Sequence, residues 1–140
     1  MAHLHVDIVS AEHEIFSGEA VMVFAPASQG EVGIAPGYTP LVTQLAPGEV
    51  RVQLESGEEQ GFYVSGGMLE VQPHVVTVLS DSAERAEDLD EAAALKAREE
   101  AERVFHDKDA KIEYATARAQ LAEAAAQLQA IQRLRKRAKR

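Results

Sequence analysis

The side chains in this sequence best suited to hold a metal or move a proton near neutral pH are its five histidines, His3, His5, His13, His74 and His106. His3 and His5 stand two apart, on one face of an expected strand, where two imidazoles can share a metal. No third ligand stands at a useful spacing, so the pair reads as polar surface. Carboxylates are many, but in the C-terminal third they alternate with Lys and Arg, the pattern of a solvated helix face. The serines lack spaced His and Asp partners, and the chain contains no GxxxxGK[ST], GxGxxG, HExxH or GxSxG. With no cysteine there is neither a disulfide framework nor thiol chemistry. These residues make no case for an enzyme acting alone, and neither a metal nor a cofactor is expected.

The chain is most constrained elsewhere, at Gly30–Leu41, GEVGIAPGYTPL, where three glycines and two prolines fall among apolar residues. Glycine serves positive φ or a close backbone approach, and proline fixes φ and removes a donor. Such a run reads as a shaped loop that opens on a short strand, Glu31–Ile34, and closes on another, Leu41–Leu45. Loops of this kind commonly carry a binding surface on a rigid scaffold, although a plain turn between strands has the same composition.

The elements around it divide at about Ser80. Before that point, short apolar segments recur every 8–12 residues with Gly or Pro between them. His3–Val9 alternates as a half-buried strand does, and Ala20–Ala25 is a continuous apolar run ended by Pro26. Val50–Leu54, Phe62–Ser65, Met68–Val71 and Val75–Leu79 complete the set. This rhythm predicts an antiparallel β-sandwich over residues 1–84. From Asp88 onward there is no Gly and no Pro, and Ala, Glu, Lys, Arg, Gln and Leu dominate. Asp88 and Glu91 have the spacing of a capping box, which places a helix start there. Ala94, Ala97, Ala101 and Val104/Phe105 share one helical face; HDKD at His106–Asp109 reads as a tight turn. A second helix from about Lys111 carries the stripe Ala117, Leu121, Ala124, Leu128, Ile131 and Leu134. The fold class is thus α+β: a sandwich followed by an antiparallel two-helix hairpin over residues 88–140. Its seam is mostly alanine, and a buried methyl is worth only about 0.8 kcal/mol, so docking should be marginal.

The net charge of −9 is unevenly spread. Residues 1–80 hold one basic side chain, Arg51, against ten acidic ones, whereas Arg133–Arg140 hold six basic groups and no acid. An acidic body argues against nucleic acid or anionic lipid as the main partner, while the basic tail reads either as a frayed terminus or as an arm for an acidic surface. No stretch approaches the roughly 20 apolar residues of a membrane span, and MAHLHVDIVS has no signal-peptide pattern.

Three of these segments carry a resemblance. GEVGIAPGYTPL resembles the GE-x-GI-x-PG-x-x-PL stretch of the epsilon subunit of the rotary ATP synthase. Val64–Val71, VSGGMLEV, is similar to that family's SGG-x-LEV strand pair, and Val76–Asp90 to its passage from last strand into first helix. The match runs from His3 to about Leu134. It implies a non-catalytic central-stalk subunit whose sandwich is clamped between the gamma subunit and the c-subunit ring. Its hairpin either folds onto the sandwich or extends along gamma to suppress ATP hydrolysis. The location implied is the cytoplasmic side of the cell (inner) membrane, peripheral, through the complex alone. A free-standing sandwich adaptor with a helical partner-binding arm is the alternative.

The resemblance also assigns residues. Glu31 is the expected contact to the polar loops of the c ring, with Val32, Ile34, Pro36 and Tyr38 as an apolar surface and Gly33 and Gly37 holding the loop shape. Some members have His where Tyr38 stands. Met68 and Leu69 either face gamma or fill the core. For the inhibitory helix the expected residues are Arg118, Arg133, Arg135, Lys136 and Arg137, with Leu128, Ile131 and Leu134 packing, against acidic segments of the alpha and beta catalytic subunits. Some members bind ATP through I/L-D-x-x-R-A. The matching stretch here, Leu89-Asp90-Glu91-Ala92-Ala93-Ala94, keeps the Asp, as Glu84 is kept upstream, but has Ala93 in place of Arg. A triphosphate wants Arg or Lys, so ATP binding is expected to be weak or absent.

Overall fold

The computed structural model describes residues 2–106 and 114–138. Ten strands come first: β1 (Leu4–Ser10), β2 (Glu14–Ala20), β3 (Met22–Ala27), β4 (Gly30–Ile34), β5 (Leu41–Leu45), β6 (Gly48–Gln53), β7 (Glu59–Val64), β8 (Gly67–Val71), β9 (Val75–Ser80) and β10 (Ala83–Arg85). A 3-10 turn, Ala86–Asp88, leads to α1 (Glu91–His106) and α2 (Tyr114–Ala138).

The strands follow the order β10-β7-β6-β3-β5-β8-β9-β1-β2, with β4 paired to β3 outside this path. The ladders are antiparallel except for β1 with β9, which is parallel from His5–Val75 to Ser10–Ser80. A parallel pair needs a long crossover, and here nearly the whole sandwich supplies it. The two ends of the path meet. Arg85 of β10 donates from Nη2 to the Ile15 carbonyl of β2 at 3.1 Å, and the rings of Phe16 and Phe62 lie 5.2 Å apart. The enclosed core holds Leu4, Val6 and Ile8 against Val50, Phe62, Leu69 and Val78, all fully buried. Every member of that core cluster comes from residues 4–83.

Several boundaries differ from the expectation. Pro26 does not end its strand; it lies inside β3, opposite Glu31. Its carbonyl accepts from the Ala46 amide at 2.8 Å, so its missing N–H falls on that same side, where β3 leaves β6 for β5. β2 and β10 escape the sequence pattern because both are end strands, one with Ser17 and Gly18 in its middle and the other only three residues long. The first helix starts later than Asp88. Asp90 is the cap: its Oδ1 accepts from the Ala93 amide at 3.2 Å, while Asp88 belongs to the 3-10 turn. The expected turn at His106–Asp109, the Val104/Phe105 side chains and the start near Lys111 lie outside the described residues.

The helices pack as a hairpin and α2 rests on β6, β7 and the 3-10 turn. Ala94 and Ala101 of α1 and Ala117 and Ala124 of α2 are buried, with Leu128 and Ile131 further along. Leu121 and Leu134 are only half-buried.

Candidate partner-binding surfaces

The Gly30–Leu41 loop is built on a turn. Proline at 36 and glycine at 37, with φ of +83°, are the residues that a type II turn requires at its two centres, and the Tyr38 amide donates to the Ala35 carbonyl at 3.2 Å. The Gly37 amide in turn donates to the Pro73 carbonyl at 2.8 Å, which ties the loop to the β8–β9 connection. Gly33 plays a different part. It lies in β4 with an ordinary φ, and a Cβ there would press on Met22 Cε at 3.0 Å and Phe24 Cε1 at 3.2 Å.

Among the residues expected on this surface, Glu31, Gly33 and Gly37 are exposed, and Val32, Pro36 and Tyr38 half-buried. Ile34 is a correction: it is fully buried, because the strand alternation turns it into the core, and of the two places expected for Leu69 it takes the core; both support the surface from beneath. Glu31 accepts from Arg51 Nη2 at 2.8 Å, and the Arg51 guanidinium lies 4.4 Å over the Phe24 ring and 3.8 Å from Glu59. Exposed as it is, Glu31 is held in place by a side chain of β6 that reaches across β3.

Met68 points outward, and it has company that the sequence did not single out. Met68 stands opposite Leu79 in the β8–β9 ladder and opposite Gln44 in the β5–β8 ladder, with Val42 two residues along β5. Val42, Met68 and Leu79 are 66%, 40% and 49% exposed. They form an apolar patch on the outer face of β5, β8 and β9. The pairs Leu41-Val42 and Val78-Leu79 are apolar at both positions, so alternation alone could not say which member faces out.

The histidines scatter. His3 Nε2 lies 3.1 Å from Glu55, whereas His5 sits between Glu19 and Asp7 at 3.2 and 3.1 Å. The Glu19 carboxylate, with Asp7 adding to it, raises the pKa of His5. Glu84 and Asp90 do not share a cavity wall. Glu84 lines a cavity of about 370 Å³ with Glu12, Glu14, Asp81 and Asp88, an acidic enclosure relieved by Arg85, while Asp90 caps α1. A titration calorimeter should find no micromolar ATP affinity; a micromolar dissociation constant would contradict this geometry.

The basic tail is folded back on its own sandwich. Arg133 Nη1 and Arg137 Nη2 each donate to Glu49 at 3.4 Å, and Arg137 Nη1 donates to Glu59 at 3.1 Å. Arg135 pairs with Glu91 at the start of α1. Arg118 and Lys136 are exposed, and Leu134 half-buried against the wall formed by Glu58–Gly61 and Ala86. Glu49 itself was missed from the sequence: its side chain is 1% exposed, and burial raises its pKa although Arg137 and Arg133 pull the other way. Beneath the same helix, the buried Tyr63 hydroxyl has no hydrogen-bond partner among the described residues. Burial, with Glu123 beside it, pushes its phenol above the ordinary range.

A closed sandwich with one apolar face left open and an alanine-seamed hairpin docked by charge has the build of a docking module. Family models for the ATP synthase delta/epsilon chain match it over residues 3–132, the beta-sandwich domain over residues 3–86 and the long alpha-helix domain over residues 87–132. The chain belongs to the delta/epsilon chain family of the ATP synthase. It is 65% identical over 133 residues to an ATP synthase epsilon chain of Nitrosococcus oceani, covering 95% of both chains. Identity to that of Alkalilimnicola ehrlichii is 61% over 140 residues and all of both chains. Among solved structures, a chain of the Euglena gracilis mitochondrial ATP synthase, in an OSCP/F1/c-ring assembly, superposes with a TM-score of 0.77 at 26% identity. The match covers 91% of this chain and 82% of that one. A chain from the central stalk and c-ring of the Tetrahymena thermophila enzyme shares the fold, with a TM-score of 0.60 at 12% identity, over 91% and 96%.

Proposed function

We propose that this chain is a rotor subunit in the central stalk of an ATP synthase, with the sandwich as anchor and the hairpin as a brake on ATP hydrolysis. It performs no chemistry itself. The Val42–Met68–Leu79 face holds the gamma subunit, and the Glu31 loop meets the polar loops of the c-subunit ring. In the folded state the hairpin lies on the sandwich. In the extended state it runs along gamma, and Arg118, Leu128, Ile131, Leu134 and the basic tail reach the alpha and beta subunits. Among the described residues no helix is long and apolar enough to cross a membrane. In this reading the chain meets the membrane through the complex, on the cytoplasmic side of the cell (inner) membrane.

The observation that carries the anchor is the apolar face left uncovered on a rigid sheet. Such a patch beside a polar rim is typical of a protein interface. Placing a charge in its middle desolvates that charge on binding without touching the core. Leu79→Glu is therefore expected to weaken affinity for isolated gamma by about tenfold or more, with the urea midpoint of the free chain unchanged. Unchanged affinity would move the gamma contact off this face. The brake finds support in the docking: a seam of alanines and a few charge contacts hold a 25-residue helix, and such a balance suits two states of similar energy.

A further inference from the structure

Glu49 lies on the outer face of β6, covered by the last turns of α2, with its side chain 1% exposed. Its charged partners among the described residues are Arg133 and Arg137, both at 3.4 Å and both from α2. That distance is long for charge-assisted bonds, which usually run about 2.7–2.9 Å. The site is nonetheless shaped for this pair. Gly61 stands beside it on β7, and a Cβ at that position would strike the Glu49 carboxylate and come within 2.6 Å of Arg137 Nη2. A side chain at this position would push both groups from where they stand, and the glycine leaves them that room.

Such a pair is asymmetric. A buried ion pair often does no better than an uncharged pair of the same shape, because desolvation cancels the attraction. Removing one partner is different, since it strands a charge where water cannot reach. With α2 docked, Glu49 is tolerable only while the arginines are in place. With α2 gone, it is an ordinary solvated carboxylate on a sheet surface. The Tyr63 hydroxyl, buried under the same helix, has no partner at hydrogen-bonding distance among the described residues, although Gln127 of α2 lies near it, and undocking lets water reach it.

We propose that Glu49 is an ejector: it makes docking of α2 conditional on Arg133 and Arg137, so that an acidic protein surface drawing the basic tail away expels the helix from the sandwich. The inference rests on the brake reading above and supplies its trigger. Lys136, exposed on the same turns, meets the acidic surface first, with Arg135 once it leaves Glu91; competition for Arg133 and Arg137 follows. Glu59, which also holds Arg137 at 3.1 Å, is the other carboxylate that the surface must outbid.

The test uses the free full-length chain. It contains no cysteine, so spin labels at Ser56→Cys and Gln132→Cys, both exposed positions, report only the distance from sandwich to tail. The starting chain should give mainly one short distance. Arg133→Gln with Arg137→Gln should raise the open-to-docked ratio by about tenfold or more, and adding Glu49→Gln should return it to within about threefold of the start. A polyglutamate peptide should open the chain that carries Glu49 and leave the Glu49→Gln chain docked. Arginine variants that stay docked overturn the proposal. So does an open population that Glu49→Gln fails to rescue, since the arginines then act through Glu59 or the helix alone. Circular dichroism of each variant confirms that the sandwich is folded. Failure here leaves binding to the catalytic complex intact, whereas failure of the rotor reading appears as no binding, with the distances unaffected.

Discussion

A chain truncated after Glu87 is expected to bind the catalytic complex and leave ATP hydrolysis running, while the full chain slows it by about fivefold or more. The physical ground is the independence of the sandwich. Its core cluster draws on residues 4–83 and takes nothing from either helix. The ends of the sheet are joined by Arg85 and by the Phe16–Phe62 contact, both retained in the truncated chain. What the truncation uncovers is the Glu49 carboxylate and the Tyr63 hydroxyl, two polar groups that water solvates well. The shortened chain should therefore fold and hold gamma as before. Hydrolysis by the soluble complex, reconstituted with either chain, reads the result. Equal slowing by both would put the brake in the sandwich, and binding by neither would remove the rotor assignment.

The largest stability effect is expected at a single glycine. Gly67 opens β8 at φ of +136°, a conformation that side chains rarely adopt, and pairs with Ser80 across the β8–β9 ladder. A Cβ there would collide with the Leu79 carbonyl and stand 2.8 Å from Ser80 Cα. Both obstacles are backbone, so neither can swing aside. Close by, Ser80 Oγ donates to the Gly66 carbonyl at 2.7 Å, and that bond must shift with them. Gly67→Ala should cost about 3 kcal/mol or more, read as a lowered urea midpoint. Gly30→Ala is the matched control, with φ of +133° and nothing within 4 Å of its Cβ. It carries the backbone strain without the collision, so its loss should be near 1–2 kcal/mol, about the size of strain alone. Equal losses at both positions would mean that the collision at Gly67 relaxes away.

Local pattern made much of this protein legible. Period-two runs such as Leu4, Val6 and Ile8 marked strands because alternation is imposed residue by residue along an extended chain. The Gly- and Pro-free stretch after Asp88 marked helices for the same local reason. The turn at Pro36-Gly37 was likewise readable, since its two residue types have few other uses side by side. Pro26 misled, because whether a missing N–H ends a strand depends on which neighbour lies beside it.

By itself, then, the sequence determined the order and kind of the elements apart from the end strands β2 and β10, and with them the shaped loop, the alanine seam, the basic tail and the resemblance that led to the family. The tertiary structure decided what faces what. Val42 and Leu79 become a surface only once the register turns Leu41 and Val78 inward. Glu49 becomes a buried charge only because α2 crosses β6 and brings Arg133 and Arg137, 84 and 88 residues away, over it. Glu31 is steadied by Arg51, twenty residues on, across β3, which pairs with β4 on one side and with β6 on the other. Periodicity is a property of one segment and can be read from it. Burial, register and ion pairing belong to two segments at once, and only the packed chain brings the second one into place.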